Sequence, residues 1–142
     1  MQRPLEYSSY EEAKKKFKWS ERWKVFDKSR DHLNIAYECV DRHPAENIAL
    51  RIKSGAGIEE HTFGELSELT SKFANMLEKA GVNRGDHVGI VLGPSFEYYV
   101  SFFGTLKRGA VAVPCYHLLG KDGVEYRLKT SGAKIAIIRR ER

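Results

Sequence analysis

Cysteine is scarce in this chain. There are two in 142 residues, Cys39 and Cys115, far apart and in no C-x-x-C pair. That spacing argues against a disulfide framework or a zinc site and makes two buried free thiols the expectation. The five histidines show no H-E-x-x-H spacing, so the expected metal-ligand set is empty. No apolar run approaches the ~20 residues of a membrane span, and the N-terminus lacks a signal-peptide core, so the cytoplasm is the expected compartment. The phosphate loop G-x-x-x-x-G-K-[ST], the dinucleotide fingerprint G-x-G-x-x-G and the nucleophile elbow G-x-S-x-G are missing too. Gly120-Lys121-Asp122-Gly123 lacks the phosphate-loop spacing. From the residues alone, no catalytic side chain is nominated.

What is present describes a soluble globular domain. Apolar residues make up 42% and charged residues 30%, and a chain of this length buries about two thirds of its unfolded surface. The net charge of +5 is uneven, with Lys14, Lys15, Lys16 and Lys18 crowding one end and Arg139, Arg140 and Arg142 the other. Such clusters hold phosphate or nucleic acid in some proteins and are solvated surface in most. A chain that stops on Arg-Arg-Glu-Arg directly after a buried strand is expected to be part of something longer.

The stretch from Gly81 to Pro114 organises the rest. A turn, Gly81-Val82-Asn83-Arg84-Gly85-Asp86, leads into the apolar run His87–Leu92, and Gly93-Pro94-Ser95 breaks it. An amphipathic helix follows to Lys107, with Phe96, Tyr99, Val100, Phe103 and Leu106 facing inward, Gly104 at a close backbone contact and Gly109 as its stop. Ala110–Pro114 closes the unit as a second buried strand. Strand, helix, strand in that order is a βαβ crossover of a parallel sheet. Its ligand-binding edge lies at the strands' carboxyl ends, Leu92-Gly93-Pro94 and Pro114-Cys115-Tyr116. Arg84-Gly85-Asp86, despite its adhesion-motif letters, reads as a tight turn.

Residues 1–31 interleave Tyr7, Tyr10, Phe17, Trp19, Trp23 and Phe26 with charges. They read as an N-terminal arm held by its rings; the rival reading, stacking on single-stranded nucleic acid, lacks an accompanying RNA-binding signature. The body, residues 32–142, opens with a short helix from Ile35 to Arg42 capped by Asn34, with Ile35, Ala36, Cys39 and Val40 on one side. Ile48–Ile52 and Glu59–Phe63 form a hairpin around Ser54-Gly55-Ala56-Gly57. Thr62 and Glu65 form a capping box for a helix to about Lys79, with Leu66, Leu69, Phe73, Met76, Leu77 and Ala80 as its apolar stripe and Gly81 as its stop. A third helix over about 122–129 and a last strand, Lys134–Ile138, complete the chain. The fold class is α/β: a three-layer, mostly parallel βαβ sheet flanked by helices, with an N-terminal hairpin and an aromatic arm.

Several of these segments together resemble the acyl-CoA synthetases of the adenylate-forming superfamily. Asn34 to His43 is similar to their opening helix, which ends in Asp-Arg-His. Thr62-Phe63-Gly64-Glu65-Leu66 resembles their first core motif, continued by Ala74-Asn75-Met76-Leu77. Gly81-Val82-Asn83-Arg84-Gly85-Asp86-His87-Val88 resembles Gly-Val-x-x-Gly-Asp-x-Val, and Leu106 to Pro114 the second core motif. Lys121-Asp122, Tyr126-Arg127-Leu128 and Ser131-Gly132-Ala133-Lys134 are most similar to the acetyl-CoA and medium-chain branch. The resemblance runs from about residue 31 to 138.

The resemblance implies the N-terminal part of a longer ligase. Whole, such an enzyme uses ATP and Mg²⁺ to turn a carboxylic acid into an acyl-adenylate, then transfers the acyl group to coenzyme A. The family's Ser/Thr/Gly-rich loop, ribose-binding Asp, hinge and C-terminal Lys have no counterpart here, so the fragment alone is expected to be inactive and to bind none of these cofactors tightly. The ligand contacts the resemblance implies concern coenzyme A: Tyr116, His117 and Leu118 in the loop after the second motif, where the branch has Phe-Gly-Gly, and an Arg expected near or just beyond Arg142, with Arg139 and Arg140 as its neighbours after the last strand. No nucleic-acid or membrane partner is expected, while surface left open by truncation is expected to drive self-association. The alternative is a free-standing, non-catalytic binding or assembly module with the same half-fold.

Overall fold

The computed structural model describes residues 7–55, 57–116 and 118–139, with Ser54 described by its backbone alone. It divides into two compact units, one up to Leu33 and one from Asn34.

The first unit is built from short-range contacts. Helix α1, Tyr10–Lys16, is capped by Ser9, whose hydroxyl accepts from the Glu12 amide. Lys16 pairs with Glu12 at 2.6 Å one turn apart, and this contact together with hydrogen bonds from the Ser8 hydroxyl and amide pulls the Glu12 carboxyl down to about 2. A 3₁₀ turn, Trp19–Val25, follows. Phe17 meets Trp19 edge-on at 5.4 Å, and the Arg22 guanidinium lies 4.8 Å from the Trp23 ring centroid. None of its described residues is buried, and Tyr10 and Trp19 stay three-quarters exposed.

The second unit opens on the predicted cap. The Asn34 side-chain oxygen accepts from the Ala36 and Tyr37 amides, and its amide donates to the Leu106 carbonyl at 3.2 Å. The turn that follows, Tyr37–Asp41, is a π turn closed by Arg42 N–H donating to the Tyr37 carbonyl. The wider turn changes the phase of the side chains. Ala36, Glu38 and Val40 are buried while Cys39 is exposed, so the expectation of two buried thiols is corrected: only Cys115 is buried.

Strands β1, Ile48–Ser54, and β2, Gly57–Thr62, pair antiparallel as a separate two-stranded sheet. The hairpin therefore adds no strand to the parallel sheet. Thr62 and Glu65 form the expected capping box on α2, Phe63–Lys79. Gly81 follows with φ +81 and Val82 is fully buried.

The second sheet has the order β4-β3-β5, from β3 (His87–Val91), β4 (Val111–Pro114) and β5 (Ile135–Ile138), all parallel. The first crossover runs through α3, Phe96–Lys107, and the second, in the opposite direction across the sheet, through α4, Lys121–Ser131. Right-handed connections in opposite directions put these helices on opposite faces. On one face Leu77, Val82, Val88 and Ala110 form the core, with Phe73, Ile135 and Ile137 packed against it. On the other, Leu128 of α4 fills the space where a side chain at Gly89 would stand.

Helices α2 and α3 meet through small residues. A Cβ on Gly104 would stand 2.7 Å from the Phe73 ring and 3.0 Å from the Thr70 carbonyl oxygen. The buried lines are accordingly Leu66, Thr70, Ala74 and Leu77 on α2 and Ser101, Gly104 and Thr105 on α3. This corrects the expected stripes: Leu69 and Met76 are exposed at 36% and 45%, and the large residues of α3 are only half-buried. Close helix approach selects small side chains at the contact and pushes bulky ones to its margins.

Candidate functional site

The carboxyl edge of the parallel sheet carries the candidate site. Strand β3 ends at Val91, and Leu92-Gly93-Pro94 turns the chain into α3, whose first turn Ser95 caps by accepting from the Tyr98 amide at 3.3 Å. Beside it, β4 ends at Pro114, and the Cys115 amide donates to the Ile90 carbonyl at 2.8 Å. Cys115, 2% exposed, is thereby held at the floor of the edge.

Two cavities adjoin there. One, of about 420 Å³, is lined by Leu92, Pro94, Tyr98, Tyr99, Pro114, Cys115 and Tyr116. Its wall is mainly aromatic and apolar, and Tyr98 and Tyr99 meet edge-on at 5.4 Å. The other, of about 510 Å³, lies at the ends of β3 and β5 and is lined by residues 91–95 with Ile138 and Arg139. Leu92 and Pro94 border both cavities. A third cavity, of about 270 Å³, lies beside α2 and includes Asp41, His43, Phe63 and Ser67.

Charge at the edge is fixed by α3. The Glu97 carboxyl is held below its usual range, first by its own backbone amide and then by the Ser95 hydroxyl, with Arg139 and His61 adding attraction against partial burial. Negative charge in the first turn suits the helix dipole. The same end of α3 is braced by His61, whose ring stacks on Phe96 with centroids 3.7 Å apart and planes 1° from parallel.

The sequence-derived residues distribute as follows. Tyr116 lines the aromatic cavity, Arg139 lines its neighbour, and Leu118 is 70% exposed. The structure thus brings Tyr116 and Arg139 to adjoining cavities from loops more than twenty residues apart. His117, Arg140 and Arg142 lie outside the described residues. Sequence reasoning did not anticipate Tyr98 and Tyr99 as cavity walls or the His61–Phe96 stack. The useful signal was Pro94 and Pro114, which mark where both strands end.

The residues present test the groups that the resemblance implies. Aromatic and apolar walls beside a guanidinium fit a flat heterocycle with phosphate, the chemistry of the coenzyme A nucleotide. Among the described residues no three His, Cys, Asp or Glu side chains converge in a metal-binding group.

Comparison with known proteins agrees over most of the chain. Residues 37–142 match the model of a family described as AMP-binding enzyme. The acetyl-coenzyme A synthetase of Bacillus subtilis strain 168 is 34% identical over 135 residues, which are 91% of this chain and 24% of that protein. The crystal structure of a Brucella canis acyl-CoA synthetase superposes with a TM-score of 0.82 at 31% identity, covering 89% of this chain and 24% of that one. The N-terminal domain of FACL13 from Mycobacterium tuberculosis matches 55% of this chain and 20% of its own at 32% identity, with a TM-score of 0.53. The chain thus spans about a quarter of the length of such relatives.

Proposed function

Because this chain belongs to the AMP-binding enzyme family, we propose that it is the N-terminal part of an acyl-CoA synthetase and carries the coenzyme A side of its site. In the whole cytoplasmic enzyme, with ATP and Mg²⁺, a carboxylate displaces pyrophosphate to give an acyl-adenylate, whose acyl group then passes to the coenzyme A thiol as AMP leaves. Adenylation replaces a poor leaving group with a good one.

The observation that carries this reading is the pair of cavities sharing Leu92 and Pro94, with Tyr116 in one and Arg139 in the other. Tyr116, with Tyr98 and Tyr99, offers ring faces and apolar wall to the nucleotide base. Arg139 offers positive charge to its phosphate oxygens. Glu97 is already engaged by the cap of α3 through its own amide and the Ser95 hydroxyl. Leu118, His117 and Arg140 complete the proposed contact set.

The 142 residues alone are read as inactive in adenylation. Supporting this, the sequence carries no phosphate loop of the G-x-x-x-x-G-K-[ST] spacing. The same reading holds that the isolated chain self-associates through surface that the rest of the fold covers. Acid-dependent ATP–pyrophosphate exchange by the purified chain tests it. No exchange above a no-enzyme control is expected, and robust exchange that follows the chain through purification overturns the reading.

A further inference from the structure

His61 links the two-stranded sheet to the helix that leaves the parallel one. It pairs with Leu50 in the hairpin and immediately precedes Thr62, the cap of α2, so its backbone is held from both sides. Its ring lies over Phe96, the first residue of α3, with centroids 3.7 Å apart and planes 1° from parallel. Aromatic pairs left to themselves take offset or edge-on arrangements. A stack with so little room for offset is set by the frames behind the two rings. The imidazole makes no stronger contact. Its nitrogens stand 3.7 Å from the Glu65 carboxylate and 3.9 Å from that of Glu59, beyond hydrogen-bond length. Nε2 is enclosed, with no hydrogen-bond partner among the described residues. An enclosed nitrogen without a partner lowers stability. Sacrifices of stability of this kind concentrate where function needs a particular placement.

The stack acts at the end of α3 that borders the site. Helices α2 and α3 are in close contact at Thr70 and Gly104. His61 and Phe96 precede those two residues by nine and eight positions, about two turns toward the amino ends. The lead-in to α3, Leu92-Gly93-Pro94, belongs to no strand or helix. The first turn that it enters carries Tyr98 and Tyr99, which wall the aromatic cavity, and Glu97, whose carboxylate is drawn by both Arg139 and His61. We propose that His61 is a positioning residue for the aromatic cavity: through Phe96, its ring fixes the direction in which α3 leaves the sheet edge, and so where Tyr98 and Tyr99 stand. The inference rests on the coenzyme A reading of that cavity and deepens it. Because the flat face of the ring carries the role, phenylalanine can replace histidine here. Leucine, which is apolar but not flat, cannot.

Steady-state kinetics of the intact enzyme test this with His61→Phe, His61→Leu, Phe96→Leu and, further along the hairpin, the exposed Arg51→Ala. Circular dichroism confirms that each is folded. KM for coenzyme A should rise about three- to tenfold in His61→Leu and in Phe96→Leu, the scale of an aromatic pair, while KM for ATP stays within about twofold of the parent. The double variant should be no worse than either single one, because the same contact is lost once. His61→Phe and Arg51→Ala should keep the parental KM, and His61→Phe should melt no lower than the parent. A parental KM in both leucine variants, where Tyr116→Ala raises it, overturns the positioning role and leaves the coenzyme A reading standing. His61→Phe as impaired as His61→Leu, or KM values for coenzyme A and ATP that rise together, also overturns the role. A parental KM in Tyr116→Ala as well overturns the coenzyme A reading and this inference with it.

Discussion

Lys107 and Asp41 form a half-buried ion pair at 2.7 Å that joins two of the motifs by which the chain resembles its relatives. Asp41 belongs to the Asp-Arg-His that ends the opening helix, and Lys107 to the motif leading into β4. The Asp41 carboxylate also accepts from the Ser67 hydroxyl, and the Lys107 ammonium also donates to the Ser71 hydroxyl. The opening turn, α2 and α3 are therefore tied at one point. These motif residues build the frame that presents the carboxyl edge.

Asp41→Ala should destabilise the chain by about 1–3 kcal/mol, between the values for exposed and fully buried pairs. Urea unfolding measures it. A loss below a few tenths of a kcal/mol would mean that the pair adds nothing to the frame.

Gly104→Ala runs against helix propensity, which by itself favours alanine by about 1 kcal/mol. Overpacking against Phe73 and the Thr70 carbonyl should reverse that sign and cost about 1–3 kcal/mol. Trimming the ring with Phe73→Leu should recover part of the loss in the double variant. A single variant more stable than the parent would refute the close approach of α2 and α3.

Asp86 should titrate below the ordinary aspartate range. Lys134 donates to its carboxylate and the Asn83 amide adds a second bond. The folded value is depressed, so the associated stability is present above the unfolded value, ~3.9, and is lost as pH falls through the folded one. Carboxyl chemical shifts followed by NMR read this directly, and Lys134→Met should move Asp86 upward. No movement would deny the contact its role.

The fold was legible where local chemistry decides it. The Thr62–Glu65 box, the positive-φ glycines Gly81 and Gly109, and the strand–helix–strand order all rest on neighbours in sequence. Cys39 was misplaced because nothing local announces a π turn. Leu69 and Met76 were placed inward because periodicity finds a hydrophobic face without saying how closely the next helix approaches. The edge was legible in outline: Leu92-Gly93-Pro94 and Pro114-Cys115-Tyr116 were the expected strand ends, and all but Gly93, which lines the neighbouring cavity, line the aromatic one. Tyr98 and Tyr99 were not, because a helix residue becomes a cavity wall only through the loop packed beside it.

The proposed coenzyme A role of the edge is tested most directly on the intact enzyme carrying Tyr116→Ala or Arg139→Ala. Loss of a base–aromatic stack is worth about 1–3 kcal/mol, so KM for coenzyme A should rise at least about fivefold for Tyr116→Ala, and also rise for Arg139→Ala. Acid-dependent ATP–pyrophosphate exchange, which precedes the thiol step, should stay at the parent rate. An unchanged KM for coenzyme A in both variants, or a fall confined to exchange, would contradict the account.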